Sequence, residues 1–442
     1  MSLMIANKIA KLACDHYKTK LGKQGKPNEK QWTTMSAIIQ STCVLSKSDS
    51  IGKTTPVYSY KVVALGTGTK CLGKTELSHK GDLVSDSHAE IVARRSFLLY
   101  LYSQLNACIK EESSIFEKSV GLLDKPAPSS STFQTFTLRE NITFHLFVSH
   151  VPCGDASIVN PTSEKVLELE SEILQQQKEL DPPCKIPKLD SFSSPSTPHR
   201  TGAKLESGST IYEENQAEGR CRVKPGKGDP TLCMSCSDKL AKWQVLGLQG
   251  SLLGNLVKQP IRLSSIIIGS GVPYSHSSAT RALFDRIKRS IDSEVNESSI
   301  FVPFKDEYSA PEIVQSGINF CDYDTQRYQP APTSISWYCT ANEKGSLQVS
   351  VNGRKHGVTK RNFGKPAAQV SICRQQILKN FISLIKISAK SEDGKSFLKD
   401  LSYKSVKLLN QEYNSTWNEL KNRIFVGWTE KPTYMIDFIA SS

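Results

Sequence analysis

Strands that alternate with helices constrain this chain more than any other feature. The run Val57–Leu65 is rich in β-formers and ends in Gly66–Thr67–Gly68, so it reads as a strand entering a turn. From Asp86 to about Leu105 the apolar spacing becomes helical, and Thr143–Val151 is a second strand that runs directly into Pro152–Cys153–Gly154. Helical spacing returns from Ser237, followed by a strand at Ile261–Ile268 and helices near Ala279–Ile291, Ala367–Ile387 and Tyr403–Phe425. Residues 4–18 form one more helix, with Ile5, Ile9, Leu12 and Ala13 on one side. No internal repeat is present. This order predicts an α/β layered fold.

The 442 residues, 38 % hydrophobic and 22 % charged, suit a globular chain with a substantial core. Composition shifts between about Asn160 and Arg200. There a charged amphipathic stretch, Lys165–Leu180, precedes the Pro/Ser-rich DPPCKIPKLDSFSSPSTPHR, so 160–200 reads as a flexible insertion, with ordered pattern resuming near Thr210. Lys and Arg (56) outnumber Asp and Glu (43), a net charge of +13 that favours an anionic partner such as nucleic acid. The N-terminus lacks the apolar core of a signal peptide, and no stretch is long enough to span a bilayer. An intracellular protein of the nucleus or cytoplasm, with no membrane partner and no protein partner implied, is therefore expected. Its 12 Cys are then thiols or metal ligands rather than disulfides.

Three short blocks carry chemistry: His88–Ala89–Glu90, Pro152–Cys153–Gly154 and Cys233–Met234–Ser235–Cys236. Each alone has a structural explanation, because a His at a helix start is commonly a cap and most buried thiols bind nothing. Together they offer one imidazole, two thiolates and an open fourth position, the donor set of a catalytic zinc. Such an ion brings the pKa of water to roughly 7, and Glu90 is left free to move protons. Spacing does not choose between Cys233 and Cys236, and a closed four-ligand structural site using both is the competing arrangement.

DSHAEIVARRSF, PCGDASI and MSCSDKLAKWQVLGLQGSLL resemble the catalytic domain of the adenosine deaminases acting on RNA and of their transfer-RNA relatives. The resemblance runs from GTGTKC (Gly66–Cys71) to WTEKP (Trp428–Pro432), and HRTGAK, RVKPGKGD and VNGRKHGVTKR are more similar to the transfer-RNA branch. The double-stranded-RNA-binding domains of the messenger-RNA editors are absent. The resemblance implies a cytidine-deaminase-like three-layer core, with a mixed central sheet flanked by helices and a helical C-terminal portion. It implies a single adenosine-to-inosine editase domain over 1–442, with its core at about 57–440. It also implies zinc held by His88, Cys153 and Cys236, Glu90 as proton shuttle in attack of water on C6 of adenine, and Thr69 and Lys70 touching the target nucleotide. The implied substrate is the adenosine immediately 3′ of the anticodon in alanine transfer RNA. Two positions depart from the editors: Ser157 stands where they carry Arg, and near Glu206–Ser209 their base-replacing glutamate has no counterpart.

Arg94 and Arg95 share the apolar side of the helix after Glu90, where they either extend to water or face a buried anion. The same editors hold inositol hexakisphosphate inside the domain. The resemblance carries that ligand to Arg94, Arg95, Lys239, Lys242, Arg374, Tyr403, Lys407, Tyr413, Trp428 and Lys431. Lys242 and Arg374 exchange one basic residue for another, and Trp417 replaces a Lys. The rival readings are a non-catalytic RNA-binding protein with structural zinc and a deaminase of other RNA or of free adenosine.

Overall fold

A computed structural model describes residues 1–47, 54–119, 134–159, 218–226, 228–257, 259–292, 310–323, 327–388 and 401–440. Its strands are β1 (Gln31–Trp32), β2 (Met35–Lys47), β3 (Thr54–Thr67), β4 (Thr69–Cys71), β5 (Asp86–His88), β6 (Phe116–Lys118), β7 (Phe136–Leu138), β8 (Ile142–Val148), β9 (Leu263–Ile268), β10 (Glu312–Gln315), β11 (Gln329–Pro330), β12 (Thr333–Cys339), β13 (Gly345–Val351) and β14 (Arg354–Lys355). The principal helices are α1 (Leu3–Lys20), α2 (Ala89–Ile109), α3 (Cys236–Leu246), α4 (Gly250–Leu253), α5 (His276–Thr280), α6 (Arg286–Asp292), α7 (Arg374–Ser388), α8 (Tyr403–Leu408) and α9 (Gln411–Arg423).

Eight strands form one mixed sheet in the order β10-β9-β8-β2-β3-β12-β13-β14. β9 runs parallel to both β8 and β10, and the other pairs are antiparallel. Helices cover both faces. A Cβ on Gly66 of β3 would meet Ala89, Val92 and Ala93 of α2, while Trp337, which pairs with the neighbouring Leu65, packs on His16 of α1. Successive strand residues face opposite sides, so α1 and α2 lie on opposite faces of the sheet. The α/β layered expectation is met, with helices α7 to α9 forming the helical C-terminal portion.

Burial on both faces explains why β2 and β12 were not anticipated, whereas β13, also not anticipated, is largely half-exposed. Ala37, Ile38 and Ile39 are consecutive and all buried, so the alternation that marks a half-exposed strand is missing. The core also begins well before Val57, because α1 and β2 supply Ala6, Ile9, Ala13 and Ile38 to the same cluster as Phe438. Residues 86–88 are strand rather than helix: they pair with Thr69–Cys71, and α2 starts only at Ala89. The predicted helix at 367–387 begins at Arg374, and 403–425 is two helices, because Asn410 accepts the Tyr413 amide and caps the second. The segment 279–291 includes a π-helical turn at Arg281–Asp285. The expected helix at 165–180 and the insertion at 160–200 lie outside the described residues. No described helix is long and apolar enough to cross a membrane.

Candidate metal centre and anion cavity

Three chain segments converge at the N-terminal ends of α2 and α3. His88 closes β5 as the N-cap of α2, Cys153 follows the end of β8, and Cys236 opens α3. The Cys236 sulfur lies 3.6 Å and the Cys153 sulfur 3.9 Å from Nδ1 of His88, and all three donor atoms fall within 4.8 Å of one another. Glycine permits this approach. Gly154 has φ 108°, and a Cβ there would sit 2.3 Å from Ser235 Oγ, so only glycine lets the Cys153 loop rest on the start of α3. The two parts are then bonded directly: the Ser237 amide donates to the Cys153 carbonyl (3.1 Å) and the Cys236 amide to the Cys153 sulfur (3.4 Å).

Cys233, equal to Cys236 on spacing alone, is not in this cluster. It faces Cys71 and Asp86 in a second one, so the donor set beside His88 has three members among the described residues. Glu90 is on the first turn of α2, two residues from His88 and 8 % exposed. A hydrogen bond from Cys236 holds the Cys153 thiol well below its ordinary pKa despite burial, while burial and then Cys153 hold Cys236 above. With Cys236 buried and Cys153 half-buried, two thiolates this close call for more positive charge than the single Lys224 ammonium beside Cys236. An imidazole with two such thiols therefore fits a zinc-like ion with one position left for water.

A buried polar chain leads away from Cys236. Lys224 Nζ lies 3.1 Å from its sulfur and donates to both oxygens of Asp86 (2.8 and 3.0 Å), which also accepts from Lys239 (2.5 Å). Burial opposes charge on Asp86, but Lys224 and then Lys239 outweigh it and hold the carboxylate ionised far below its usual range. Lys239 opens onto a cluster of cations enclosed by α2, α3, α7, α8 and α9. Arg94 donates from Nε to the Leu248 carbonyl (2.8 Å) and Arg95 from Nε to that of Ile372 (2.6 Å), while Nη2 of Arg95 is buried without a partner. Lys242 Nζ sits 3.2 Å from the ring centre of Trp417 and 5.0 Å from that of Trp428.

These cations repel one another. Burial and then Lys407 and Arg94 push Lys242 well below the lysine range, and burial and then Arg374 take Lys431 down to about 7. Burial opposes ionisation of the Tyr403 hydroxyl, yet Lys407, Arg374 and Arg95 together pull its pKa down. Arg94 and Arg95 are surrounded by protein but keep part of their surface uncovered, as residues lining an internal space do. The guanidinium ends do not extend to water. Such a wall suits a polyanion, which would offset the crowded positive charge and restore full charge to the lysines.

A family model described as adenosine-deaminase (editase) domain matches residues 64–432. The chain belongs to this family. Over 434 residues it is 32 % identical to tRNA-specific adenosine deaminase 1 of Drosophila melanogaster, covering 97 % of this chain and 96 % of that protein. The protein of the same name from Homo sapiens is 30 % identical, covering 97 % and 98 %. Double-stranded RNA-specific adenosine deaminase of Mus musculus is 27 % identical over 84 % of this chain and 28 % of its own length.

Within this editase domain, Thr69 pairs with His88 across β4 and β5, and its buried hydroxyl has no hydrogen-bond partner. Thr69 and Lys70 line a surface cleft with Ser87, Ser334, Asn352 and Gly353. The exposed Lys355, Lys360 and Arg361 follow closely in sequence, in the VNGRKHGVTKR block. Arg374 and Lys431 line another cleft with Ser85, whose hydroxyl accepts from Lys431 (2.7 Å), and Tyr403 stacks on Phe438. Lys407 lies 5.7 Å from the Tyr403 ring, and Tyr413 is in the first turn of α9. Ser157 turns back to donate to the Pro152 carbonyl, and Glu206–Ser209 is outside the described residues. Asp86 and Lys224 were missed, although both stand in the blocks DSHAE and RVKPGKGD. Asp86 was the one unassigned charge in its block, but the other holds four charged residues, so charge alone did not single out Lys224.

Proposed function

We propose that this chain hydrolyses adenosine to inosine in transfer RNA, at the adenosine immediately 3′ of the anticodon in alanine transfer RNA. One observation carries the reading: His88, Cys153 and Cys236 face one another beside a buried Glu90. Near full-length similarity to proteins named tRNA-specific adenosine deaminase 1 supports the substrate class. Zinc, held by those three residues, would supply the Lewis acidity that makes water nucleophilic at neutral pH. The Glu90 carboxylate takes one proton from water as its oxygen bonds to C6 and passes it to N1 of the purine; it then takes the remaining proton from the new C6 hydroxyl and passes it to the amino group. Ammonia leaves, and a C6 carbonyl remains. The unpaired Thr69 hydroxyl and the Lys70 ammonium bind the nucleotide at the mouth.

The cation-lined cavity holds inositol hexakisphosphate in this reading, as a structural anion contacted by Arg94, Arg95, Lys239, Lys242, Arg374, Tyr403, Lys407, Tyr413, Trp428 and Lys431. Residues 1–442 make one editase domain, which works inside the cell, in nucleus or cytoplasm. The test compares wild type with Glu90→Ala on alanine transfer RNA and on a transcript lacking the anticodon loop. Wild type should form inosine only on the intact loop. The variant should lose about 10²–10⁴ in rate while keeping one zinc per chain. Equal yields on both RNAs would remove the anticodon assignment, and undiminished activity of Glu90→Ala would remove the proton shuttle.

A further inference from the structure

Outside the proposed active site, the described residues contain one other group of three His, Cys, Asp or Glu side chains close enough to share an ion. Cys71, at the end of β4, and Cys233, three residues before Cys236, have sulfurs within 4.8 Å of each other and of an Asp86 oxygen. Both thiols point at the same acceptor, the Ser85 carbonyl, at 3.4 Å from Cys71 and 3.9 Å from Cys233. Cys71 is half-buried and Cys233 is 3 % exposed.

A metal ion is a poor occupant. Both Asp86 oxygens are taken by Lys224, one of them also by Lys239, and Lys431 donates to the Ser85 hydroxyl beside the sulfurs. A cation entering here would meet three ammonium groups and displace a buried ion pair. The same positive surroundings favour a thiolate. The hydrogen bond from Cys71 draws the Cys233 thiol down to about 5 against the effect of burial, with Lys239 and Lys431 adding to the shift.

We propose that Cys71 and Cys233 form an oxidisable pair that hydroperoxides close to an intramolecular disulfide. The pair's thiolate attacks the outer oxygen of the peroxide. The O–O bond breaks, the alcohol departs after taking up a proton, and a sulfenic acid remains. The neighbouring thiol attacks that sulfur, the S–S bond forms, and hydroxide leaves as water with the thiol's proton. Both sulfurs are oxidised, and the peroxide is reduced to alcohol and water. The new bond would tie the strand that carries Thr69 to the segment that leads into Cys236.

Zinc-loaded, full-length protein is treated with tert-butyl hydroperoxide, alkylated, digested and mapped by mass spectrometry without reductant. The expected product is a Cys71–Cys233 linked peptide pair, lighter by two hydrogen atoms, dominant over other pairs and lost on adding dithiothreitol. Cys71→Ser and Cys233→Ser should each abolish it, and the wild-type map decides even if a serine variant folds poorly. Oxidation of the exposed Cys321 without that linked pair would overturn the proposal. So would a second zinc per chain that both serine variants lose, because the pair would then be a metal site.

Discussion

Asp86 carries its charge in a place water does not reach. The carboxylate is 4 % exposed, Lys224 is 2 % exposed, and each is the other's principal compensation. A buried pair of this kind adds little net stability over an apolar one, but removing one member strands the other. Asp86→Asn should therefore destabilise the fold by about 3–5 kcal/mol, measured by chemical denaturation. A loss below about 1 kcal/mol, the scale of an exposed pair, would show that Lys224 finds another partner. The charged neighbours of the metal centre were written in the sequence next to its ligands. Their pairing was not, because Asp86 and Lys224 are far apart in the chain and meet only through the fold.

Among the elements, α2 sets the geometry of the site. Sixteen of its residues from Ala89 to Cys108 are buried, so it passes through the molecule rather than along its surface. It can do so because β3 offers Gly66 at the contact, where a Cβ would come 2.4 Å from the Ala93 amide nitrogen. Gly66→Ala should push the start of α2 off the sheet and cost about 1–3 kcal/mol, and zinc affinity should fall with it as His88 shifts. Thermal melting and metal titration test this, and unchanged values for both would contradict the close packing. The helix itself was legible from its apolar spacing. Its true start was hidden because Asp86–His88 is fixed by pairing with β4, a long-range demand that local pattern does not reveal. Likewise His88, Cys153 and Cys236 were readable as a donor set by residue type, yet only the fold separates Cys236 from Cys233.

For the whole molecule, the enclosed cations make stability depend on pH and on an anion. Burial and then Arg374 hold Lys431 at about 7 in the fold, against about 10.5 for an ordinary lysine, so between these pH values the unfolded chain holds more protons. The Lys431 contribution to the stability of anion-free protein then rises as pH increases through that window. The thermal midpoint should climb between about pH 7 and 10, inositol hexakisphosphate should remove the climb, and Lys431→Met should reduce it. A midpoint that is flat without the anion would count against the cavity's role. The sequence showed Arg94 and Arg95 on an apolar helix side, but whether their ends reached water depended on α7 to α9 folding over them.

The backbone bond between Cys153 and Ser237 also bears on how the chain can vary. It pins both ends of a long connection at one point, and within that connection the run from Arg222 to Cys236 is itself tied to the site through Lys224 and Asp86. Closure entropy grows slowly with length, so doubling a loop costs only about 0.6 kcal/mol. Insertions and deletions should therefore accumulate upstream of Arg222, while the spacings from Arg222 to Cys236 and from Asp86 to Glu90 stay fixed to the residue.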